Sequence, residues 1–81
     1  MGREHDRLNV ARNFIERYGA DRFAWLLRCF QEGESGQVIA DALDVSRERV
    51  RQWKNAFGTT VSFYDLHPEV EGMLREVRDA E

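Results

Sequence analysis

Apolar residues recur every three or four positions along most of the chain, which is the spacing of one face of an α-helix. The first such stretch covers about residues 8–18 and is followed by Gly19, which we expect to adopt a positive φ at the helix end. A second stretch covers about residues 21–32, with Asp21 as its expected cap, and ends at Gly33. It is the most apolar part of the chain and therefore predicts the central, most buried helix.

Two shorter helices are predicted next, and each has a serine immediately before it. Ser35 precedes a helix over residues 36–43, and Ser46 precedes a helix over residues 47–57 that stops at Gly58. A serine hydroxyl in this position accepts a hydrogen bond from an unpaired backbone N–H of the first turn. The pair therefore predicts two helices joined by a very short turn.

The pattern changes after Gly58. Residues 59–64 are rich in β-branched and aromatic side chains, which favours an extended segment. No second strand is evident, so we expect this segment to lie along the core or to pair with another molecule. Pro68 is typical of the first turn of a helix and predicts a last one. The predicted fold is all-α: a small bundle of four to five helices with a short extended segment near residues 59–64.

The helices over 36–43 and 47–57 have the features of a helix-turn-helix, for which we take residues 36–57. Such a motif needs a small residue where the helices cross, apolar residues at fixed offsets, and a turn of three to four residues. Asp44 occupies the place where a left-handed residue often makes the turn. The residues predicted to hold the two helices together are Ile39, Ala40, Leu43, Val45, Val50 and Trp53.

If Val50 and Trp53 point inward, the opposite face of the second helix carries polar side chains that can read bases in a major groove. Arginine pairs with guanine, glutamine or asparagine with adenine, and glutamate with cytosine. The predicted base-reading residues are Arg47, Glu48, Arg51, Gln52 and Asn55. At the helix start and on its flanks, Ser46, Arg49 and Lys54 are better placed for DNA phosphates.

The string from Val45 to Gln52, VSRERVRQ, resembles the start of the recognition helix in region 4 of bacterial housekeeping σ factors. The resemblance implies that Arg47, Glu48, Arg51 and Gln52 face the major groove, as the matching residues do in that family. It covers about twenty residues, and the continuation Trp53-Lys54-Asn55 departs from the usual pattern. The helix pair is also similar to those of small phage and bacterial regulators and of transposase and terminase DNA-binding domains, where tryptophan is common at the position of Trp53.

Length and composition fit a single domain over residues 1–81. The chain is 42% apolar with nine aromatic residues, too many for a disordered tail. Its formal net charge of −3 excludes an indiscriminate nucleic-acid coat protein. The charge is uneven, however, because residues 46–55 sum to +3 and residues 65–81 to −4. This distribution favours one focused contact face with an acidic rear.

Other classes of site have little support in the sequence. Cys29 lies in the most apolar stretch and is expected to be a buried, inert thiol in a reduced, cytoplasmic protein. One cysteine with the distant His5 and His67 fits no zinc spacing, so we expect no metal and no cofactor. No catalytic constellation, signal peptide or membrane span is evident, and we therefore expect neither an enzyme nor a membrane protein.

The C-terminal segment, residues 59–81, is the predicted association surface. Its candidate residues are Val61, Phe63, Val70, Met73, Leu74 and Val77. Small helix-turn-helix proteins usually bind as dimers to half-sites about 34 Å apart, which favours a homodimer. The alternative is an acidic helix that is merely solvated.

Together these features predict a small, sequence-specific transcriptional regulator that binds double-stranded DNA, with RNA polymerase or another transcription protein as a further partner. Two alternatives remain open. One is an adaptor that keeps the helix-turn-helix scaffold but binds proteins, which the net acidity would suit. The other is the DNA-binding component of a transposase or terminase.

Overall fold

A computed structural model describes residues 3–60 and 62–79 of the chain, with side chains from Arg7 onward. Its elements in order are α1 (Arg3–Tyr18), α2 (Ala20–Gln31), α3 (Gly36–Leu43), α4 (Arg47–Phe57), β1 (Gly58–Thr60), β2 (Tyr64–Leu66) and α5 (Pro68–Asp79). The all-α class with a short extended segment is confirmed. No helix in this part of the chain is both long and apolar enough to cross a membrane.

A single residue, Gly19, joins α1 to α2. Its φ of 98° lies in the region that favours glycine, as predicted. The predicted cap of α2 was wrong, because Gly19 rather than Asp21 occupies the N-cap position and no side chain caps the helix. The Gly19 carbonyl accepts a hydrogen bond from the Phe23 N–H at 3.1 Å, so the helix starts earlier and Asp21 lies within its first turn. A carboxylate there still favours the helix through its dipole.

The connection from α2 to α3 follows the sequence prediction. Gly33 has a φ of 76°, and the Glu34 N–H donates to the Cys29 carbonyl at 2.9 Å, which closes the end of α2. The Ser35 hydroxyl then accepts from the Gln37 N–H at 3.1 Å and caps α3.

The hydrophobic core is built around α2, as its composition predicted. Five residues of this helix are buried: Phe23, Leu26, Leu27, Cys29 and Phe30. The largest fully buried side chains of the other elements are Phe14, Ile39, Phe57 and Val70. Phe23 meets Phe57 edge-on at 5.6 Å between ring centroids, which joins α2 to the end of α4.

The extended segment does have a strand partner in the same chain, so the prediction of an unpaired segment was wrong. β1 and β2 form an antiparallel hairpin in which Gly58 pairs with Leu66 and Thr60 with Tyr64. The second strand has only three residues, and Asp65 divides its apolar pattern. A strand this short gives no periodic signal in the sequence. Its Tyr64 is buried against Phe30 of α2 and donates its hydroxyl proton to the Lys54 carbonyl of α4.

The last helix packs inward, so the apolar stripe predicted as an association surface also covers the chain's own core. α5 begins at Pro68, as predicted, and packs against α1 and α2. Val70 is fully buried, and Met73, Leu74 and Val77 are half-buried against the same core. The apolar stripe of α5 therefore contacts the chain's own core, where the helix packs on α1 and α2. Phe63 is 76% exposed at the hairpin turn, and Val61 lies outside the described residues.

Candidate nucleic-acid interface

The turn between α3 and α4 is fixed by its own backbone hydrogen bonds. Asp44 adopts the left-handed conformation at φ 58° and ψ 49°, at the position where the sequence suggested it. The Val45 N–H donates to the Ala40 carbonyl at 3.0 Å and the Asp44 N–H to the Asp41 carbonyl at 3.4 Å. This pair of bonds is a Schellman motif, which ends α3 sharply and sets the direction of the chain.

α4 begins directly after this turn. The Ser46 hydroxyl accepts a hydrogen bond from the Arg49 N–H at 3.1 Å, so Ser46 caps the helix as predicted. Its hydroxyl oxygen is occupied as an acceptor, but the hydroxyl proton stays available to a phosphate at the helix start. Hydrogen bonds therefore hold the start of α4 both before Ser46, in the turn, and after it, in the first turn of the helix.

The residues predicted to hold α3 and α4 together lie at the interface between them. Ile39, Ala40, Leu43, Val50 and Trp53 are buried, and Val45 is half-buried against the same cluster. Trp53 also meets Phe14 of α1 edge-on at 4.9 Å between ring centroids. Because these contacts fix the rotation of α4 about its axis, they also decide which face of the helix is exposed.

The exposed face of α4 carries the residues that the sequence suggested for reading bases. Arg47, Glu48, Arg51, Gln52 and Asn55 are all exposed, as are Ser46 and Arg49. Lys54 is half-buried on one flank, with its Nζ 6.0 Å from the centre of the Tyr64 ring. The geometry places these side chains on one continuous polar surface, and their contacts with DNA remain a prediction.

Glu48 and Arg51 form a two-point ion pair in the middle of this surface. The Arg51 Nε donates to Glu48 Oε1 at 3.0 Å and the Nη2 to Oε2 at 2.6 Å. The hydrogen bonds from Arg51 hold the pKa of the Glu48 carboxyl below its usual range, so the pair stays charged at neutral pH. Sequence reasoning treated these residues as independent base readers and missed the pair, although their spacing of three on a helix is a signal for it.

The hairpin supports the far end of α4. The Tyr64 hydroxyl donates to the Lys54 carbonyl at 2.6 Å, and the His67 N–H donates to the Phe57 carbonyl at 2.9 Å. Both carbonyls belong to the last turn, where a helix has no internal donors for them. Burial raises the pKa of Tyr64, which keeps its hydroxyl protonated and able to donate.

The other candidates considered from the sequence are a reactive cysteine, Cys29, and a metal site. Cys29 is buried, and this burial raises the pKa of its thiol, which disfavours the reactive thiolate. Among the described residues, no group of His, Cys, Asp and Glu side chains has a geometry that could hold a metal ion.

Residues 17–60 match the model of a homeodomain-like domain. The match covers α2, the helix-turn-helix and β1, and it supports a DNA-binding helix-turn-helix fold. No curated protein and no solved structure matches the chain.

Proposed function

Because the chain belongs to the homeodomain-like family of helix-turn-helix proteins, we propose that it binds double-stranded DNA sequence-specifically with α4 in the major groove. The observation that carries this proposal is the exposed face of α4, whose orientation is fixed by the capped turn and the buried Val50 and Trp53. A major groove is about 12 Å wide and admits one α-helix. The resemblance of residues 45–52 to σ region 4 supports the same face.

In this proposal the residues of α4 have two kinds of role. Arg47, Glu48, Arg51, Gln52 and Asn55 contact base edges, which select the sequence. Ser46, Arg49 and Lys54 contact phosphates, which fix the position of the helix without reading sequence. The protein acts by binding rather than by catalysis, as a transcriptional regulator in the cytoplasm.

Selection from random DNA duplexes tests the proposal directly. We expect a short motif to be enriched, with binding that weakens steeply as salt rises. Arg51→Ala or Gln52→Ala should reduce affinity for the selected motif by about 5- to 150-fold and relax preference at one base pair. Lys54→Gln should weaken binding to all duplexes alike and lower the salt slope by about one.

A matched control for these variants is Arg75→Ala on α5. Arg75 is also exposed, with 75% of its side chain accessible, but it lies outside the proposed interface. At physiological salt this change should leave both affinity and preference unaltered. If no motif is enriched, or if the α4 variants behave like the α5 variant, the groove assignment is wrong.

The number of copies on the DNA follows from the selected motif together with the mass of the complex formed on it. One recognition helix rarely makes enough specific contacts, which favours two copies of the chain on half-sites about 34 Å apart. Two copies would meet through exposed residues, since Val70 is fully buried and the rest of its stripe is half-buried against the core. A paired motif and a complex with two chains would support the homodimer, and a single motif with one chain would contradict it.

The selected motif also bears on the biological role. A regulator acts at a promoter, whereas a transposase or terminase component acts with a catalytic chain at the ends or packaging site of its DNA. We propose the regulator because the resemblance at residues 45–52 is to promoter-reading proteins, with RNA polymerase as a further partner. Co-purification with a nuclease or recombinase chain would instead favour the transposase or terminase role.

A further inference from the structure

A shallow groove of about 310 Å³ lies between α1 and α4. Its α4 side is formed by Arg49 and Trp53, which are one helical turn apart. Arg49 and Lys54 are five positions apart, or about 140° around the helix axis. The groove therefore follows the opposite flank of α4 from the one that carries Lys54.

The charge of this groove is positive. Its charged and amide side chains are Asn13 and Arg17 from α1 and Arg49 from α4, and no Asp or Glu of the described residues lines it. Other grooves differ in this respect. The one beside α3 contains Glu34 and Glu48, and the one between α1 and α5 contains Glu16 and Glu76.

Aromatic side chains line the groove, and one of them contacts Arg17. The Arg17 guanidinium carbon lies 5.7 Å from the centre of the Tyr18 ring, within the range of a cation–π contact. The Tyr18 ring meets the Trp53 ring edge-on at 5.8 Å between centroids. Arg17 and Arg49 thus line one groove from two different helices, and its aromatic side chains are Phe14, Tyr18 and Trp53.

We propose that Asn13 and Arg17 of α1, together with Arg49, bind a backbone phosphate of duplex DNA. A helix in a major groove lies between two phosphate backbones, so the two flanks of α4 face different strands. Arg47 and Lys54 are on the flank toward one strand, and the groove beside α1 is on the flank toward the other. Guanidinium groups and an amide N–H₂ are suitable donors for phosphate oxygens.

This inference rests on the proposed function and extends it to a helix that is largely outside the family match. The match begins at residue 17, whereas α1 begins at Arg3. The contact would make α1 part of the DNA interface in addition to its role in covering the core.

The test uses the full chain and the DNA motif chosen by duplex selection. Arg17→Gln should lower affinity for the motif by about two- to fivefold and decrease the salt slope by about one, with no change in base preference. Arg17→Lys keeps the charge and should retain the wild-type salt slope. Arg12→Gln is the matched control, since Arg12 is exposed on the same helix but lies in the groove toward α5 with Glu16 and Glu76.

A duplex with one neutral methylphosphonate locates the contact. Moving the substitution along each strand should reveal a position that weakens the wild type more than it weakens Arg17→Gln, since the variant keeps only the contacts of Asn13 and Arg49 with that phosphate. If Arg17→Gln matches Arg12→Gln in slope and affinity while the wild type binds its motif, the α1 contact is refuted and the proposed function stands. If the wild type selects no duplex, both are refuted.

Discussion

The ion pair between Glu48 and Arg51 orients an arginine before any DNA is present. Its two hydrogen bonds, at 3.0 and 2.6 Å, use the Nε and one Nη2 proton of Arg51. A guanidinium has five N–H donors, so enough remain for a bidentate contact with guanine. Glu48 therefore does not block base reading by Arg51; it limits the positions that the guanidinium can occupy.

We predict that Glu48→Gln separates affinity from specificity. Removing a negative charge from the interface should strengthen binding to unselected duplexes, because the phosphates then meet less repulsion. Discrimination should fall severalfold at the base pair that Arg51 contacts, since the arginine is no longer held in one orientation. It should also fall at the base pair that Glu48 itself contacts. Dissociation constants for the selected motif and its single-base variants measure both effects.

Glu34→Gln provides the control for this prediction. Glu34 lies in the same groove as Arg51, but its carboxylate accepts from the Ser35 N–H and is not paired with Arg51. This variant should also bind more tightly, with discrimination unchanged. Equal losses of discrimination in the two variants would show that charge alone, rather than the orientation of Arg51, sets the preference.

At the level of elements, the hairpin completes the end of α4. The Tyr64 hydroxyl and the His67 N–H satisfy two carbonyls of the last turn, and Gly58 allows the strands to come close enough to do so. A Cβ on Gly58 would lie 2.5 Å from the Asp65 carbonyl oxygen and 2.7 Å from Cζ of Tyr64. Gly58 is extended, with a φ of −171°, so the requirement for glycine comes from this close approach and not from its dihedral angles.

We therefore predict that Gly58→Ala lowers the free energy of unfolding by about 1–3 kcal/mol, as overpacking does in a close-packed region. Gly72→Ala is the control, because Gly72 is exposed within α5 and has nothing within 4 Å of its Cβ position. That change should stabilise the protein by about 0.5–1 kcal/mol through helix propensity. Chemical denaturation of both variants gives the two values, and a neutral effect of Gly58→Ala would contradict the close approach.

The hairpin also shows where the sequence stops being informative. Ser35, Ser46, Gly33 and Pro68 were predicted correctly because a cap or a helix end depends on a few neighbouring residues. The pairing of β1 with β2 depends on the close approach of Tyr64 and Asp65 to Gly58, which no local pattern contains. For the same reason, the sequence suggested Arg49 as a phosphate contact but not Arg17, which only the fold brings into the same groove.

The apolar stripe of α5 illustrates a second limit. Periodicity correctly predicted that Val70, Met73, Leu74 and Val77 share one face of a helix. It cannot show what covers that face, because a second copy and the chain's own α1 and α2 would both satisfy the pattern. In the structure α5 packs on α1 and α2, so the chain's own helices account for the stripe.

On the scale of the whole molecule, charge is divided unevenly between elements: α4 has four basic residues and one acidic residue, whereas α5 has four acidic residues and two basic ones. The described residues span 28 × 28 × 23 Å, with the cationic face of α4 exposed and α5 packed mainly on α1 and α2. The Debye length is about 30 Å at 0.01 M salt and about 8 Å at 0.15 M. The acidic charges of α5 therefore act on approaching DNA at low salt, whereas physiological salt screens them.

This separation predicts a salt-dependent effect of α5 on the association rate. The double variant Glu76→Gln, Asp79→Asn should bind DNA faster than the wild type at low salt, because less repulsion opposes the approach. The opposite variant, Arg75→Gln with Arg78→Gln, should bind more slowly, and both should have the wild-type dissociation rate. Stopped-flow association measured at about 0.01 and 0.15 M salt should show the differences disappearing at the higher concentration. Differences that persist there would mean that α5 touches the DNA, and the acidic side would then be part of the interface instead of its rear.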